Sequence, residues 1–243
     1  MKLRNSLKLQ HKCLECSFRS GSFFCALDQQ ILQEFETFKI TNAYPKGATL
    51  FFEGQPCEGV YMLCQGRVKL SIYSRDGKAI IIRIAEPGEV LGLSAAASEN
   101  VHEATAQVVE PCQVNFVRKK DFLRFLRKHG DAGLNAVLQL STNYHKANTQ
   151  IRSLGLSNSA ADKLARLFLS WCQDGCSNGD HQAVTIRIGY THAEIAEMIG
   201  SSRETVTRLI KGFKDRQMIL EEAPNQFVFD KKKIAAAVGL RHF

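Results

Sequence analysis

The pattern of hydrophobic positions changes character along the chain. From Ala43 to Val117, short stretches of alternating apolar and polar residues are separated by turn signals, which are short residue groups that contain Gly or Pro. Regularly spaced short strands of this kind are typical of an antiparallel barrel or sandwich. The clearest hairpin is predicted at Asp76-Gly77, because both residues tolerate a positive φ. After Lys120 the apolar residues recur at helical spacing. The pattern therefore predicts an α+β protein in which an antiparallel β-barrel precedes helices.

One long helical segment carries apolar residues separated by 3, 4, 3, 4 and 3 positions. This is the 3.5-residue period of a coiled-coil seam, which a helix between two domains can bury against its own copy. The alternative is that the stripe packs on the barrel of the same chain. We expect a homodimer through this seam, whose residues are Val137, Leu140, Tyr144, Ala147, Ile151 and Leu154.

The last third of the chain has the element order of a winged helix-turn-helix. Gly155 and the Ser-Asn-Ser at 157–159 indicate a hinge, and a helix, a short strand, two close helices and a hairpin near Pro224-Asn225 follow. Together with the preceding segments, this order predicts four regions. They are a cysteine-bearing arm (1–25), a sensory barrel (26–130), a dimerisation helix (131–156) and a winged helix-turn-helix (157–243).

The two close helices carry the signals of a DNA-binding element. Thr191 and Glu194 form a capping-box pattern, and Gly200 suits the tight turn that follows. The outward face of the second helix carries residue types that contact base edges or phosphates. The alternative is a solvated helix face, with Glu204 capping the helix start after Ser201. The candidate DNA contacts are Ser202, Arg203, Glu204, Thr205, Thr207, Arg208 and Lys211.

Composition limits the function classes without choosing among them. The chain has 243 residues, 44% hydrophobic and 23% charged, as in a soluble globular protein. Its net charge of +8 suits a polyanionic partner, yet from Ser157 onward there are only 12 basic against 10 acidic residues. There is no apolar run of membrane-spanning length and no secretory signal pattern, so we expect a cytoplasmic protein with no membrane partner.

The sequence contains none of the common catalytic motifs. A nucleophile elbow, a phosphate-binding glycine loop and an HExxH zinc helix are all missing. A thiol oxidoreductase built on Cys13 and Cys16 would need a βαβ context, and this arm leads into a helix and a barrel. We therefore expect that the protein is not an enzyme.

Three stretches of sequence resemble one known family. The segment THAEIAEMIGSSRETVTRLIKGFKDRQMI is similar to the DNA-binding motif of the Crp/Fnr regulators, and YPKGATLFFEGQPCEGVYMLCQGRVKL and RDGKAIIIRIAEPGEVLGL are similar to their sensory barrel. The resemblance implies a homodimer on a palindromic promoter, with RNA polymerase as a further partner. It also implies that Arg203, Glu204 and Arg208 contact bases, as in relatives that bind TGTGA-type half-sites. The alternative of a barrel module that does not bind DNA is disfavoured by the helix-turn-helix.

The resemblance also bears on the signal that the barrel senses. Relatives that bind cyclic AMP carry Gly-Glu-Leu and, about ten residues later, Arg-Ser. Here the corresponding positions are Gly92-Leu93-Ser94 and His102-Glu103. A carboxylate for the ribose and an arginine for the phosphate are both missing, and Glu103 would repel the phosphate. We therefore expect no cyclic AMP binding.

Eight cysteines in a chain without an export signal are not expected to form structural disulfides. The spacing Cys13-x2-Cys16-x8-Cys25 is similar to the N-terminal cysteines of the oxygen-sensing branch of the family, in which three arm cysteines and one barrel cysteine hold a [4Fe–4S] cluster. The barrel cysteine of those relatives aligns with Asn115, so we take the nearby Cys112 as the fourth ligand.

Other interpretations of the arm stay open at this point. Cys112 is also a candidate for simple core packing, and His11, Cys57 and Cys64 are rival fourth ligands. The arm could instead be a thiol-rich docking segment without a cofactor. The regulator would then respond to a different small molecule, or to none.

Overall fold

The structure is a computed structural model with two compact units, Met1–Ala147 and Asn148–Phe243. Each unit is described by itself. Among the described residues, no helix has the combination of length and hydrophobicity needed to cross a membrane. The described residues are 12–16, 23–98, 100–157, 159–174 and 183–237.

The first unit is an antiparallel sheet flanked by helices. A 3-10 helix at Phe23–Ala26 and a short α-helix lead into the strands, and two helices follow them. Its elements are α1 (Gln29–Glu36), β1 (Ile40–Tyr44), β2 (Thr49–Phe51), β3 (Gly59–Tyr73), β4 (Ala79–Ala85), β5 (Val90–Leu91), α2 (Leu93–Ser98), β6 (Thr105–Arg118), α3 (Lys119–Lys128) and the larger part of α4 (Gly130–Leu156), a helix whose residues from Asn148 onward belong to the second unit.

The strands form a six-stranded sheet in the order β1-β6-β3-β4. The short strands β2 and β5 pair with β6 and β3 respectively. The antiparallel sheet with flanking helices is confirmed, but the closed barrel expected from the sequence is not. Among the described strands, β1 and β4 end the pairing path and do not pair with each other. The sheet is therefore an open roll.

The predicted hairpin at Asp76-Gly77 is confirmed. It joins β3 to β4, and Gly77 has a φ of 79°. The turn is closed by two backbone hydrogen bonds, in which Gly77 N donates to Ser74 O and Ser74 N donates to Lys78 O, each at 2.9 Å. A positive φ is cheap for glycine because it has no Cβ, so this residue type fixes the position of the turn.

Two groups of buried side chains form the core of this unit. The first, called here the helix-side cluster, includes Phe24, Leu32, Phe35, Val60, Met62, Val117, Phe122 and Phe125, with Cys13 and Leu14 of the arm packed against it. The second, called here the sheet cluster, includes Leu50, Phe51, Leu63, Val68, Leu70, Leu91, Ala106, Val108, Cys112 and Val114. Met62 and Leu63 are consecutive on β3 and belong to different clusters, since successive strand residues point to opposite faces.

The long helix α4 divides the predicted seam into two rows. Leu140 is half-buried against the helix-side cluster, and Ala147 and Leu154 are also half-buried. The other row, Val137, Tyr144 and Ile151, is 61%, 66% and 66% exposed. Buried Gln139 fixes the helix to the sheet through two hydrogen bonds with the backbone of Val90, at 2.9 and 2.7 Å. Packing on the same chain thus accounts for half of the seam.

In its described residues, the second unit contains four further helices and a three-stranded sheet. The strands β7, β9 and β8 pair antiparallel in that order, and the β8–β9 hairpin turns at Pro224 and Asn225, where Asn225 has a φ of 63°. This is the winged helix-turn-helix expected from the sequence. Its elements are α5 (Ala160–Asp174), β7 (Ala183–Arg187), α6 (His192–Ile199), α7 (Arg203–Asp215), β8 (Ile219–Ala223), β9 (Gln226–Asp230) and α8 (Lys231–Ala237).

Candidate nucleic-acid interface and candidate metal centre

The turn between α6 and α7 is defined by three local signals. Thr191 caps α6 in a complete capping box with Glu194. Gly200 ends α6 in the left-handed conformation, with φ 62° and ψ 46°. Ser202 then caps α7, because its Oγ accepts a hydrogen bond from Thr205 N at 3.2 Å. The capping residue of α7 is therefore Ser202 rather than Ser201, and Glu204 lies one position too early to complete a capping box with it.

Helix α7 has a buried face and an opposite polar face. Val206, Ile210 and Phe213 are buried, and Phe213 contacts Phe168 of α5 with ring centroids 6.0 Å apart. On the polar face, Arg203, Glu204, Arg208 and Lys211 are all exposed. Within the described part of the chain, no ion pair engages these four side chains, so their charges are available to a partner.

Thr207 shares this polar face, but its hydroxyl is already bonded within the protein. It donates to Arg203 O at 2.9 Å and lies 2.9 Å from Nδ1 of His192. His192 is the first residue of α6, so this contact connects the two helices of the motif. Sequence reasoning did not identify His192, because the residue that bonds it lies fifteen positions away. Thr207 is thus placed to hold α6 against α7.

The arm cysteines lie beside the sheet. Cys13, Cys16 and Cys25 are partly buried, and Cys13 packs against the helix-side cluster. The backbone N–H groups of Cys13 and Leu14 donate to Oε1 of Glu36, the second at 3.4 Å. Burial raises the pKa of Cys13, an effect that the nearby Lys39 opposes and that Glu36 and Cys25 increase. His11, one rival ligand, lies outside the described residues.

Cys112 and Cys64 lie in different surroundings. Cys112 is fully buried in the sheet cluster, opposite Tyr44 in the β1–β6 register, and burial alone raises its pKa to about 12. This favours core packing over its predicted role as the fourth ligand. Cys64 lies instead next to Asn115, whose Nδ2 donates to Cys64 Sγ at 3.1 Å. Cys57 is bonded to Gly59 O at 3.4 Å and packs against the helix-side cluster.

The thiols are not arranged for a single metal ion. Among residues 12–16, 23–98, 100–157, 159–174 and 183–237, no three His, Cys, Asp or Glu side chains form a group that could hold one. One tetrahedral ion draws its sulfur ligands close together, because each metal–sulfur distance is about 2.3 Å. A [4Fe–4S] cubane binds each thiolate to a different iron atom, so its ligands stand further apart. The donor set of thiols fits a cubane better than a single ion.

A cavity of about 380 Å³ opens between the sheet, α2 and α4 in the first unit. Its wall includes Leu93, which is buried, and His102, whose ring stacks on Phe51 with centroids 3.8 Å apart. Glu103 also lines it and accepts a hydrogen bond from Ser94 Oγ at 3.2 Å.

The cavity does contain one arginine, which the sequence analysis did not foresee. Arg83 lines it and forms an ion pair with Glu89, and both side chains are largely buried. Lys146 lies 3.7 Å from the other oxygen of Glu89. The charge of Arg83 is thus already balanced by a carboxylate, and the cavity has no free cationic group to offer a phosphate among its described residues.

Comparison with known proteins places both units in one family. Residues 41–129 match the cyclic nucleotide-binding domain, and residues 162–240 match the Crp-like helix-turn-helix domain. The chain is 31% identical over 182 residues to the global nitrogen regulator of Synechococcus elongatus, an alignment that covers 72% of this chain and 79% of that protein. It is 25% identical over 177 residues to the cAMP-activated global transcriptional regulator CRP of Pasteurella multocida, covering 72% and 83%.

Solved structures show the same fold. A CooA mutant from Carboxydothermus hydrogenoformans superimposes with a TM-score of 0.74 at 20% identity, covering 89% of this chain and 95% of that one. FixK2 from Bradyrhizobium japonicum superimposes with a TM-score of 0.69 at 18% identity, covering 82% and 96%. At this level of identity the likeness concerns the fold alone.

Proposed function

Because the chain belongs to the Crp/Fnr family of DNA-binding transcription regulators, not to a family of enzymes, we propose that it acts as a homodimer on a palindromic promoter site. In this proposal the two copies of α7 enter successive major grooves, and the bound dimer acts on RNA polymerase. Half-sites about one helical turn apart follow from the two-fold symmetry of such a dimer.

The observation that carries the DNA-binding proposal is the polar face of α7. Arg203 and Arg208 are exposed and without ion pairs in the described part of the chain, which leaves their guanidinium groups available for guanine O6 and N7. Exposed Glu204 suits cytosine N4, and Lys211 one turn further suits a phosphate.

Ser202 and Thr205 stand at the helix start, where free backbone N–H groups and the helix dipole favour phosphate. Their side chains bond each other at 3.0 Å, so we expect the backbone to supply much of this contact. Thr207 contributes by holding α6 in place rather than by a free hydroxyl.

Binding of defined DNA duplexes tests this assignment. Fluorescence anisotropy on a TGTGA…TCACA duplex should show that Arg203→Ala loses about 1–3 kcal/mol of binding free energy. Lys232→Ala is the matched control, because it removes an exposed positive charge from α8 in the same unit. Equal losses in the two variants would show that α7 contributes charge but no base contact.

The exposed row of α4 supports the homodimer. Val137, Tyr144 and Ile151 repeat every seven residues and remain exposed in the single chain. Apolar side chains at heptad spacing are buried when two copies of such a helix pair. A second copy of α4 is therefore the partner that this surface fits.

Control of the regulator is assigned to the cysteine arm rather than to cyclic AMP. Cys13, Cys16 and Cys25 supply soft thiolate ligands next to the sheet, as a [4Fe–4S] cluster requires. Such a cluster would supply sensitivity to oxygen or redox state. The cavity in the first unit offers Leu93 and Glu103 where a cyclic nucleotide needs a carboxylate and an arginine. Iron analysis and an absorption spectrum of anaerobically purified protein test this part of the proposal.

A further inference from the structure

Cys64 lies at an irregular point of β3. In the β3–β6 register Leu63 faces Val114 and Gln65 faces Gln113, so Cys64 is the extra residue of a β-bulge. A bulge redirects a side chain out of the regular alternation and is often found next to a functional site. The bulge therefore leaves Cys64 without a residue directly opposite it on β6.

The side of the sheet that Cys64 faces is also the side of the arm. The side chain of Asn115, which contacts the Cys64 Sγ, is on the same face of β6 as Val117 of the helix-side cluster, because the two residues are two positions apart. Cys13 and Leu14 of the arm pack against this same cluster. Cys112, in contrast, belongs to the sheet cluster on the other face.

A chain of hydrogen bonds connects Cys64 to the arm. Lys39 Nζ donates to Thr41 Oγ1 at 3.4 Å, and Thr41 Oγ1 donates to Asn115 Oδ1 at 2.8 Å. Asn115 Nδ2 then donates to Cys64 Sγ at 3.1 Å. Lys39 also lies near enough to the Cys13 thiol to lower its pKa, so this chain of bonds begins beside an arm cysteine.

The electrostatic environment of Cys64 includes the thiols of the arm. The pKa of Cys64 is raised to about 12, mainly by burial and in smaller part by Cys25, Cys13 and Cys16, while Lys39 acts in the opposite direction. Only groups at short range shift a pKa in this way. All three arm thiols therefore lie within electrostatic range of Cys64.

We propose that Cys64 is the fourth ligand of the iron–sulfur cluster held by Cys13, Cys16 and Cys25. This inference rests on the proposed control of the regulator by the arm. Each thiol gives its proton to solvent as its sulfur binds iron. Asn115 then donates a hydrogen bond to the Cys64 sulfur, a contact of the kind that tunes iron–sulfur centres. The bound group would cross-link the arm to β3.

The proposal also explains the residue at position 115. In relatives with a cluster, the barrel cysteine aligns with Asn115 on β6. Here a thiol is present on the neighbouring strand, and its sulfur lies 3.1 Å from the Asn115 side chain. Asn115 therefore has a supporting role in this proposal, as the donor of a hydrogen bond to the ligand sulfur.

Reconstitution of the full chain with ferrous iron and sulfide under anaerobic conditions tests this assignment. Iron and acid-labile sulfide per chain, with the visible absorption spectrum, are the readouts. Wild type should bind about four irons per chain. Cys64→Ala should lower the iron content at least about tenfold, and Cys13→Ala should have the same effect. Cys57→Ala and Cys112→Ala are the matched controls, and both should keep the wild-type iron content.

A rescue variant separates loss of a ligand from loss of folding. The double variant Cys64→Ala with Asn115→Cys returns a thiol to the adjacent position on β6, so it should regain the cluster. Recovery would support the assignment. If the double variant binds no iron although circular dichroism shows that it is folded, the result would count against a ligand site at the Cys64–Asn115 pair.

The outcomes distinguish the two levels of the proposal. If wild type binds no iron, the cluster proposal for the arm is wrong and the role of Cys64 falls with it. If Cys13→Ala loses iron but Cys64→Ala keeps it, the arm cluster stands and Cys64 is not its fourth ligand. Loss of iron in Cys112→Ala alone would return that role to Cys112.

Discussion

The exposed row of α4 makes a quantitative prediction about assembly. Ile151 is 66% exposed in the single chain. Full burial of an isoleucine side chain is worth about 1.5–3 kcal/mol, so covering two-thirds of it contributes about 1–2 kcal/mol in each protomer. Two-fold symmetry counts this contribution twice, which gives about 2–4 kcal/mol per dimer.

Ile151→Glu removes this burial free energy and places two carboxylates near the symmetry axis of the proposed dimer. Since about 1.4 kcal/mol corresponds to a factor of ten, the dimer dissociation constant should rise by at least about 30-fold. Sedimentation velocity over a dilution series measures it directly. The variant should keep its helix content, because glutamate is a good helix former at an exposed position.

Thr142→Glu is the matched control for this experiment. Thr142 is also exposed on α4 but lies two positions before Tyr144, and residues two apart do not share a helix face. Its dissociation constant should stay near the wild-type value. An unchanged constant in Ile151→Glu, or an equal rise in both variants, would show that the exposed row is not the dimer seam.

Three further predictions follow from the sites described above. Thr191→Ala removes the cap whose Oγ1 accepts from Glu194 N at 3.2 Å, and should cost about 0.5–2 kcal/mol of stability by calorimetric unfolding; an unchanged midpoint would contradict the capping role. Titration calorimetry should detect no tight binding of cyclic AMP, and micromolar affinity would contradict the description of the cavity. Lys211→Ala should weaken binding to all DNA sequences alike and reduce the salt dependence by about one unit of slope, whereas loss confined to one sequence would indicate a base contact.

Much of the fold could be predicted because short-range chemistry defines it. Asp76-Gly77 marked a hairpin and Gly200 marked a helix end, and both glycines have the positive φ that their positions require. The closed barrel was not confirmed, because closure depends on pairing between β1 and β4, which are far apart in sequence. The composition of each strand does not indicate whether β1 and β4 pair with each other.

The helix α4 illustrates a different limit. Its 3.5-residue period was visible in the sequence, but the period does not say which partner covers each row. The structure shows Leu140 half-buried against its own chain, and Gln139 bonded to Val90 beneath it. The sequence offered no reason to expect a buried glutamine in this place. Only Val137, Tyr144 and Ile151 remain for a second copy.

The cysteines show where a family pattern misleads. Cys112 lay nearest in sequence to the family position at Asn115. Residues three positions apart on a strand point to opposite faces of the sheet, so Cys112 and Asn115 do not share a face. Cys64 is 51 residues from Asn115 in sequence and 3.1 Å away across the strand pair. Cross-strand register, which depends on the bulge in β3, decides which cysteine can join the arm.

Selection of binding sites from a random DNA pool tests the central claim, that α7 gives this regulator its sequence specificity. Wild type should enrich a palindrome with TGTGA…TCACA arms about one helical turn apart. Arg203→Ala should relax the choice at one base pair in each arm. A selected site without two-fold symmetry, or one with TTGAT arms that Arg203→Ala leaves unaltered, would contradict the assignment of α7 residues to bases.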